Sequence, residues 1–309
     1  MIIEITQTLV GVFLLYAGAE LLVRSSVALS QKFRVTPLLI GVIVIGLGTS
    51  SPELVVSIEA TLIGSGEIAV GNIVGSNISN LALILGIAAL FHPIRGQKDL
   101  LRREVPVMIA ISLLMTLLLW NGVLSRLDSL VLLSGLIIYL VMTIRDNITP
   151  AIAEMEVAFR RFSTPVVVTG ALCGLGILVL GAHIMISGAT GIARAFNIPE
   201  GVIGLTIVAV GTSLPELATA VVAALRKQSE LILGALVGSN ILNILLVLGV
   251  TGIVRPVYLV DIMLDDLVLM SALAVLMIPV IRTGYVVSRL EGFMLLVIYC
   301  GYMGWLFMR

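Results

Sequence analysis

Long apolar stretches alternate with short polar or glycine- and proline-containing breaks along nearly the whole chain. A hydrocarbon layer about 30 Å thick needs roughly 20 apolar residues per crossing helix. Ten stretches of suitable length can be marked, near residues 3–30, 37–63, 67–91, 103–121 and 127–145, then 164–193, 200–225, 229–253, 263–281 and 288–307. Only helices or closed barrels satisfy their backbone in lipid, and runs of this length predict an all-α membrane protein with ten transmembrane helices. The first run, from about Ile5 to Val23, lacks a basic leader and a small-residue cleavage site, so it is expected to remain as the first helix.

Shifting the chain by 163 residues aligns long parts of its two halves without a gap. The segment IGVIVIGLGTSSPEL from Ile40 meets IGLTIVAVGTSLPEL from Ile203. GNIVGSNISNLALILG from Gly71 meets GALVGSNILNILLVLG from Gly234, with ten of the sixteen positions identical. Each half holds five helices, an odd number, so the second must thread the membrane opposite to the first. That makes two inverted-topology five-helix repeats, a transporter architecture. The division is expected at 1–145 for the first repeat, 146–163 for a short cytoplasmic linker and 164–309 for the second repeat. Fourteen of the eighteen Lys and Arg residues fall on one set of alternate connections, leaving Arg126, Arg194, Arg255 and Arg309 on the other. Cytoplasmic connections retain positive charge, which puts both termini outside.

Composition sharpens this picture. Hydrophobic residues make up 59% of the chain and charged residues 12%, with a mean hydropathy of +1.19, whereas soluble domains carry about 25% charged residues. The lipid bilayer is therefore the chain's solvent. Zero net charge gives no nucleic-acid footprint and no polybasic tail. Cys173 and Cys300 lie in apolar runs and read as packing residues, with neither a disulfide framework nor a cysteine metal site behind them.

The expensive residues point to the chemistry. In each half the second apolar stretch is interrupted by Gly-Thr-Ser-x-Pro-Glu, which puts a proline and a carboxylate deep in hydrocarbon. Proline removes a backbone donor and is expected to free carbonyls around Gly46 and Ala209. An acidic side chain at a helix centre costs about 2.5–3.5 kcal/mol on insertion scales, which marks Glu53 and Glu216 as functional. Their equivalent places in oppositely threaded halves would bring them together near the midplane, and paired carboxylates suit a hard cation. The next stretch supplies neutral oxygens: Ser76, Asn77 and Asn80 in GSNISN, and Ser239, Asn240 and Asn243 in GSNILN. Residues four apart share a helix face, so a hydroxyl and an amide can point together at one site. An all-oxygen donor set matches calcium or sodium and lacks the thiolate and imidazole donors that softer zinc and copper prefer. Glu20 and Glu59 lie within or near helix ends opposite His183 and Val222 in the repeat, a broken symmetry that argues for a vestibule rather than the core. His92 reads as a loop residue, and Asp261, Asp265 and Asp266 as solvated outer charge. The sequon at Asn147 falls on the cytoplasmic side.

At these residues the chain resembles the cation/calcium exchanger superfamily, whose two repeats carry G-T-S-x-P-E in one helix and G-S-N-x-x-N/D in the next. Both repeats match over the full ten-helix layout, most like the prokaryotic sodium/calcium exchangers. The resemblance implies alternating access, with the first and sixth helices sliding past an eight-helix core. It also implies a calcium site of Glu53, Glu216, Thr49 and Thr212. Flanking sodium sites would use Ser50, Ser76, Ser213, Ser239 and the carbonyls of Gly46 and Ala209, with Asn80 and Asn243 completing the centre. Asparagine at positions 80 and 243 weakens a potassium-coupled reading, and the missing extra glutamate in GNIVGSN weakens a proton-coupled one. Ser51 opposite Leu214 has no explanation in the sequence.

The expected function is sodium/calcium antiport, with exchange of a divalent cation against protons as the alternative. A passive channel and an intramembrane hydrolase are the rivals from other classes. Paired broken helices favour a carrier over a channel. An enzyme is not expected, because the two histidines lie outside the repeated motifs and the buried acids stand beside amides. The substrates are Ca2+ and Na+ with no cofactor, a monomer suffices, and the location is a prokaryotic inner or plasma membrane.

Overall fold

The structure is a computed structural model that describes residues 2–98, 100–146, 163–196, 211–259 and 264–308. The described residues are almost entirely helical. The helices are α1 (Ile2–Phe33), α2 (Pro37–Leu62), α3 (Gly66–Phe91), α4 (Leu100–Asn121), α5 (Arg126–Asp146), α6 (Thr164–Ala195), α7 (Leu214–Leu225), α8 (Ser229–Val254), α9 (Leu264–Arg282) and α10 (Arg289–Met308). Among the described residues, eight helices are long and apolar enough to cross a membrane. The described part of α7 is shorter, because residues 197–210, where its first half was expected, lie outside the described residues.

Local chemistry sets the boundaries. Thr36 caps α2, its hydroxyl accepting from the Leu39 amide at 3.2 Å, with Pro37 in the first turn. The chain leaves α2 through Gly64 at φ +88°, and leaves α7 at Lys227, φ +57°, the position 163 residues later. Gly122 and Tyr285 form a second such pair at +75° and +54°. A left-handed lysine or tyrosine costs of order 1 kcal/mol, so the second half keeps the backbone of the first even where glycine has been lost.

Two miniature strand pairs tie the ends of the bundle. Ile94–Arg95 pairs antiparallel with Val286–Val287, and Val123–Leu124 pairs with Val257–Tyr258. The first strand precedes α4 and the second follows it, so the two ribbons lie at opposite ends of that helix. Adding 163 to Ile94 gives Val257 and to Leu124 gives Val287, so each ribbon joins one half to the other in the same register.

The centre is built from α8 and α3. Every residue of α8 from Leu231 to Leu242 is buried, and glycines bring its backbone against α2. A methyl at Gly234 would stand 2.4 Å from the Leu38 carbonyl oxygen, and one at Gly238 would stand 2.8 Å from the Val42 Cα. In lipid, small residues are what allow such approach. α1 and α6 pack antiparallel through the same device: methyls at Gly18 and Gly181 would meet the carbonyls of Gly174 and Gly11 at 2.8 Å and 3.1 Å. Leu9, Phe13 and Tyr16 on α1 and Phe293, Met294 and Val297 on α10 face outward. Cys173 and Cys300 are free and exposed rather than packed inside. In lipid both faces of a helix are apolar, so an apolar run does not say which side meets the protein.

Candidate functional site

Helix α2 breaks at Ser50, which leaves the helical region at φ −79°, ψ 3°, and the chain enters α7 through Ser213 at φ −89°, ψ 6°. Pro52 and Pro215 follow in the first turn of each new helical segment, carrying Glu53 and Glu216 with them. A helix start offers unbonded amides and the positive end of the dipole, so both carboxylates sit where the backbone best tolerates an anion. Glu53 is fully buried and Glu216 is 4% exposed. Neither pairs with a lysine or arginine among the described residues. Each carboxylate faces polar oxygen instead. Ser76 of α3 and Glu216 both act on Glu53, while Thr49 approaches Glu216. Even so, both Glu53 oxygens and Oε2 of Glu216 accept no hydrogen bond.

Two of the hydroxyls around them donate to helix carbonyls. Thr49 Oγ1 donates to the Ile45 carbonyl at 2.9 Å. Ser239 donates across the helix interface to the Gly46 carbonyl at 3.4 Å. Ser50 Oγ is buried without a partner. The Gly46 carbonyl is not released as expected, because it still accepts the Ser50 amide at 3.1 Å. Pro52 removes the donor four residues on from Gly48, so the break falls one half-turn after Gly46. Ser213 is buried and Thr212 is half-buried beside the second break. Ala209 lies outside the described residues.

Wide, π-type turns begin at Ser79 in α3 and at Asn243 in α8. Such turns recur at functional sites because they re-aim side chains. Asn80 Nδ2 donates to Asn240 Oδ1 at 2.9 Å, and Asn243 Nδ2 donates to Asn77 Oδ1 at 3.1 Å. Asn77 and Asn240 each donate to the other's backbone carbonyl at 3.2 Å. The Oδ1 atoms of Asn80 and Asn243 remain buried and unpartnered. Asn72, which sequence reasoning passed over, donates to the Glu53 carbonyl at 3.3 Å and to Ser57 Oγ at 3.1 Å. The only signal for it was an internal asymmetry, since Ala220 and Ala235 stand at the equivalent positions.

Other expectations resolve separately. Glu20 gathers Arg24 at 2.6 Å and Arg226, from the connection after α7, at 2.6 Å, away from any carboxylate pair. Glu59 is exposed near the end of α2. Asp265 is exposed but Asp266 is buried, both in the first turn of α9 rather than in a solvated loop. Gly48 and Gly211 lie against Leu175 and Ile186 of α6, as a packing role predicts. Asp261 and Asn147 lie outside the described residues. No group of three or more His, Cys, Asp or Glu side chains gathers among the described residues, so the polar centre is two carboxylates among neutral oxygens.

Buried carboxylates and orphaned neutral oxygens at breaks in apolar helices are the arrangement expected of a membrane ion transporter. The model of the family described as sodium/calcium exchanger protein matches residues 4–145 and again residues 166–308, and the chain belongs to that family. It is 36% identical to inner membrane protein YrbG of Escherichia coli, over 83% of this chain and 81% of that one. It is 29% identical to sodium/calcium exchanger MaX1 of Methanosarcina acetivorans, over 97% of each. Among solved structures it is similar to the sodium-calcium exchanger NCX_Mj soaked with sodium and strontium, with a TM-score of 0.87, 30% identity and 98% of both chains covered.

Proposed function

We propose that this protein is a sodium/calcium antiporter that moves Ca2+ against Na+ by alternating access. The carrying observation is the buried pair Glu53 and Glu216, which no lysine or arginine partners among the described residues and in which both Glu53 oxygens and Oε2 of Glu216 accept no hydrogen bond. Two buried negative charges are costly unless something positive lies between them, and the surrounding donors are hard oxygens suited to Ca2+ and Na+. In this reading Glu53 and Glu216 with Thr49 and Thr212 hold calcium. Ser50, Ser76, Ser213, Ser239 and the carbonyls of Gly46 and Ala209 hold sodium, and Asn80 and Asn243 close the centre. Coupling arises because both ions need the same two carboxylates.

The same proposal takes residues 1–145 and 164–309 as inverted repeats joined by a cytoplasmic linker at 146–163, with both termini outside and the protein in a prokaryotic inner membrane. The reciprocal ribbons and the reciprocal asparagine bonds support the symmetry. α1 and α6 form the sliding unit, and their close antiparallel glycine packing supports movement as one body. The test is radiolabelled calcium uptake into proteoliposomes. Uptake should require an imposed sodium gradient and vanish in a Glu53→Gln, Glu216→Gln double variant. Uptake driven by a pH jump without sodium, or independent of any gradient, would refute the reading.

A further inference from the structure

We propose that Asn77 and Asn240 are positioning residues that decide which end of the Asn80 and Asn243 amides meets the ion. The inference rests on the reading of Asn80 and Asn243 as cation ligands, and it adds what makes them ligands at all. A primary amide has an acceptor oxygen and a donor nitrogen of nearly the same size. Packing alone therefore cannot choose between them, yet the oxygen attracts a cation and the nitrogen repels it. Only hydrogen bonds can make the choice.

The circuit makes it without ambiguity. Asn240 Nδ2 is committed to the Asn77 carbonyl at 3.2 Å, an acceptor that cannot change character. Its Oδ1 must then face Asn80, and only the Asn80 nitrogen can answer it, as the 2.9 Å bond records. The Asn80 oxygen is left pointing away from the circuit, buried and without a partner. The mirror chain runs from the Asn240 carbonyl through Asn77 to Asn243 Nδ2, at 3.2 Å and 3.1 Å, and leaves the Asn243 oxygen in the same state. Asn77 and Asn240 also face Met270 and Met108 sulfurs at 3.7 Å and 3.9 Å, which are weak acceptors and poor rivals for the carbonyls. Flipping any one amide sets oxygen against oxygen or nitrogen against nitrogen somewhere in the ring. Because every link joins α3 to α8, the two ligand oxygens are also held at a fixed spacing. Networks of this kind are rigid when every member is satisfied, and here the two members left open are the oxygens offered to the ion.

The test exploits a carboxylate's indifference to orientation. Asn240→Leu should weaken calcium binding to the purified protein, measured by calorimetry, by about tenfold or more, the usual worth of a hydrogen-bonding group facing a charge. Adding Asn80→Asp to that variant should restore affinity to at least that of Asn80→Asp alone, because either carboxylate oxygen can face the ion and the leucine removes the Asn240 oxygen that opposes an aspartate at position 80. If the double variant stays as weak as Asn240→Leu, or if Asn240→Leu binds calcium normally, the positioning role is wrong. Asn240→Ser, which adds no bulk, should show the same loss and the same rescue and exposes the proposal equally if the leucine variant does not fold. Asn80→Leu separates the underlying reading: normal calcium affinity there would remove Asn80 from the ligand set, whatever Asn240 does.

Discussion

Replacing Glu53 by glutamine removes one carboxylate of the central pair while keeping shape and an oxygen donor. Glu53 is fully buried and its carboxylate accepts no hydrogen bond, so nothing in the protein substitutes for the lost charge. Breaking one partner out of a buried ionic group costs about 3–5 kcal/mol. Taken as the loss for calcium, that is roughly two to four decades in affinity at about 1.4 kcal/mol per decade. The Coulomb term scales with ion charge, so sodium should lose about half as much free energy, roughly one to two decades. Glu53→Gln is therefore expected to change selectivity as well as affinity, with calcium falling by one to two decades more than sodium. Calorimetric titration of each ion, with sodium replaced by choline in the calcium series, reads both values on one preparation. Equal losses for the two ions would refute the charge argument, and calcium affinity within about threefold of the parent would refute the assignment of Glu53 altogether, since even a single hydrogen bond to charge is worth more than that.

Four further substitutions probe the frame around the site. Gly234→Ala puts a methyl 2.4 Å from the Leu38 carbonyl, about 1 Å inside ordinary contact, and should cost about 1–3 kcal/mol by forcing α8 from α2. Thermal unfolding in detergent checks it against Gly176→Ala, where the added methyl meets nothing within 4 Å and stability should hold or rise. Asn72→Ala deletes the 3.3 Å and 3.1 Å bonds that tie the Glu53 segment to α3, and should lower both stability, by about 1–2 kcal/mol, and calcium affinity. An unchanged calcium titration would show that the tie is structural alone. Glu20→Gln loosens α1 from Arg226, but both arginines are well exposed, 36% and 43%, so the loss should stay below about 1 kcal/mol and disappear at high salt. A loss that survives high salt would contradict a screened surface pair.

Helix positions were legible because apolar runs end at charge, glycine or proline: the stretch marked 37–63 is Pro37–Leu62, and 229–253 is Ser229–Val254. The glutamates were legible because a carboxylate at that depth has no inexpensive explanation, and duplication doubled the signal. What stayed hidden depends on partners distant in the chain or on geometry that composition does not carry. Glu20 meets Arg226, 206 positions away, through a helix contact no local pattern announces. Asn77 and Asn240 read simply as two more oxygen donors, because the letter N does not say which end of an amide is already spoken for. The Gly46 carbonyl keeps the Ser50 amide because Pro52 removes only the bond to the residue four back, Gly48.

Charge balance at the centre connects the site to energetics across the membrane. Asparagine rather than aspartate at positions 80 and 243 leaves Glu53 and Glu216 as the two charges of the proposed binding set. One Ca2+ neutralises that pair, and so do two Na+, so an exchange confined to these carboxylates moves no net charge. A third sodium, held by neutral oxygens such as Ser50 Oγ and the asparagine amides, would make the sodium-loaded site positive. Each cycle then carries one charge, worth about 2.3 kcal/mol per 100 mV. The neutral oxygens thus decide whether membrane potential assists exchange, and the orphaned state of Ser50 Oγ, Asn80 Oδ1 and Asn243 Oδ1 leaves lone pairs for that extra ion. Calcium exchange that accelerates with imposed potential would assign them this role, whereas voltage-independent exchange would confine both ions to the carboxylate pair.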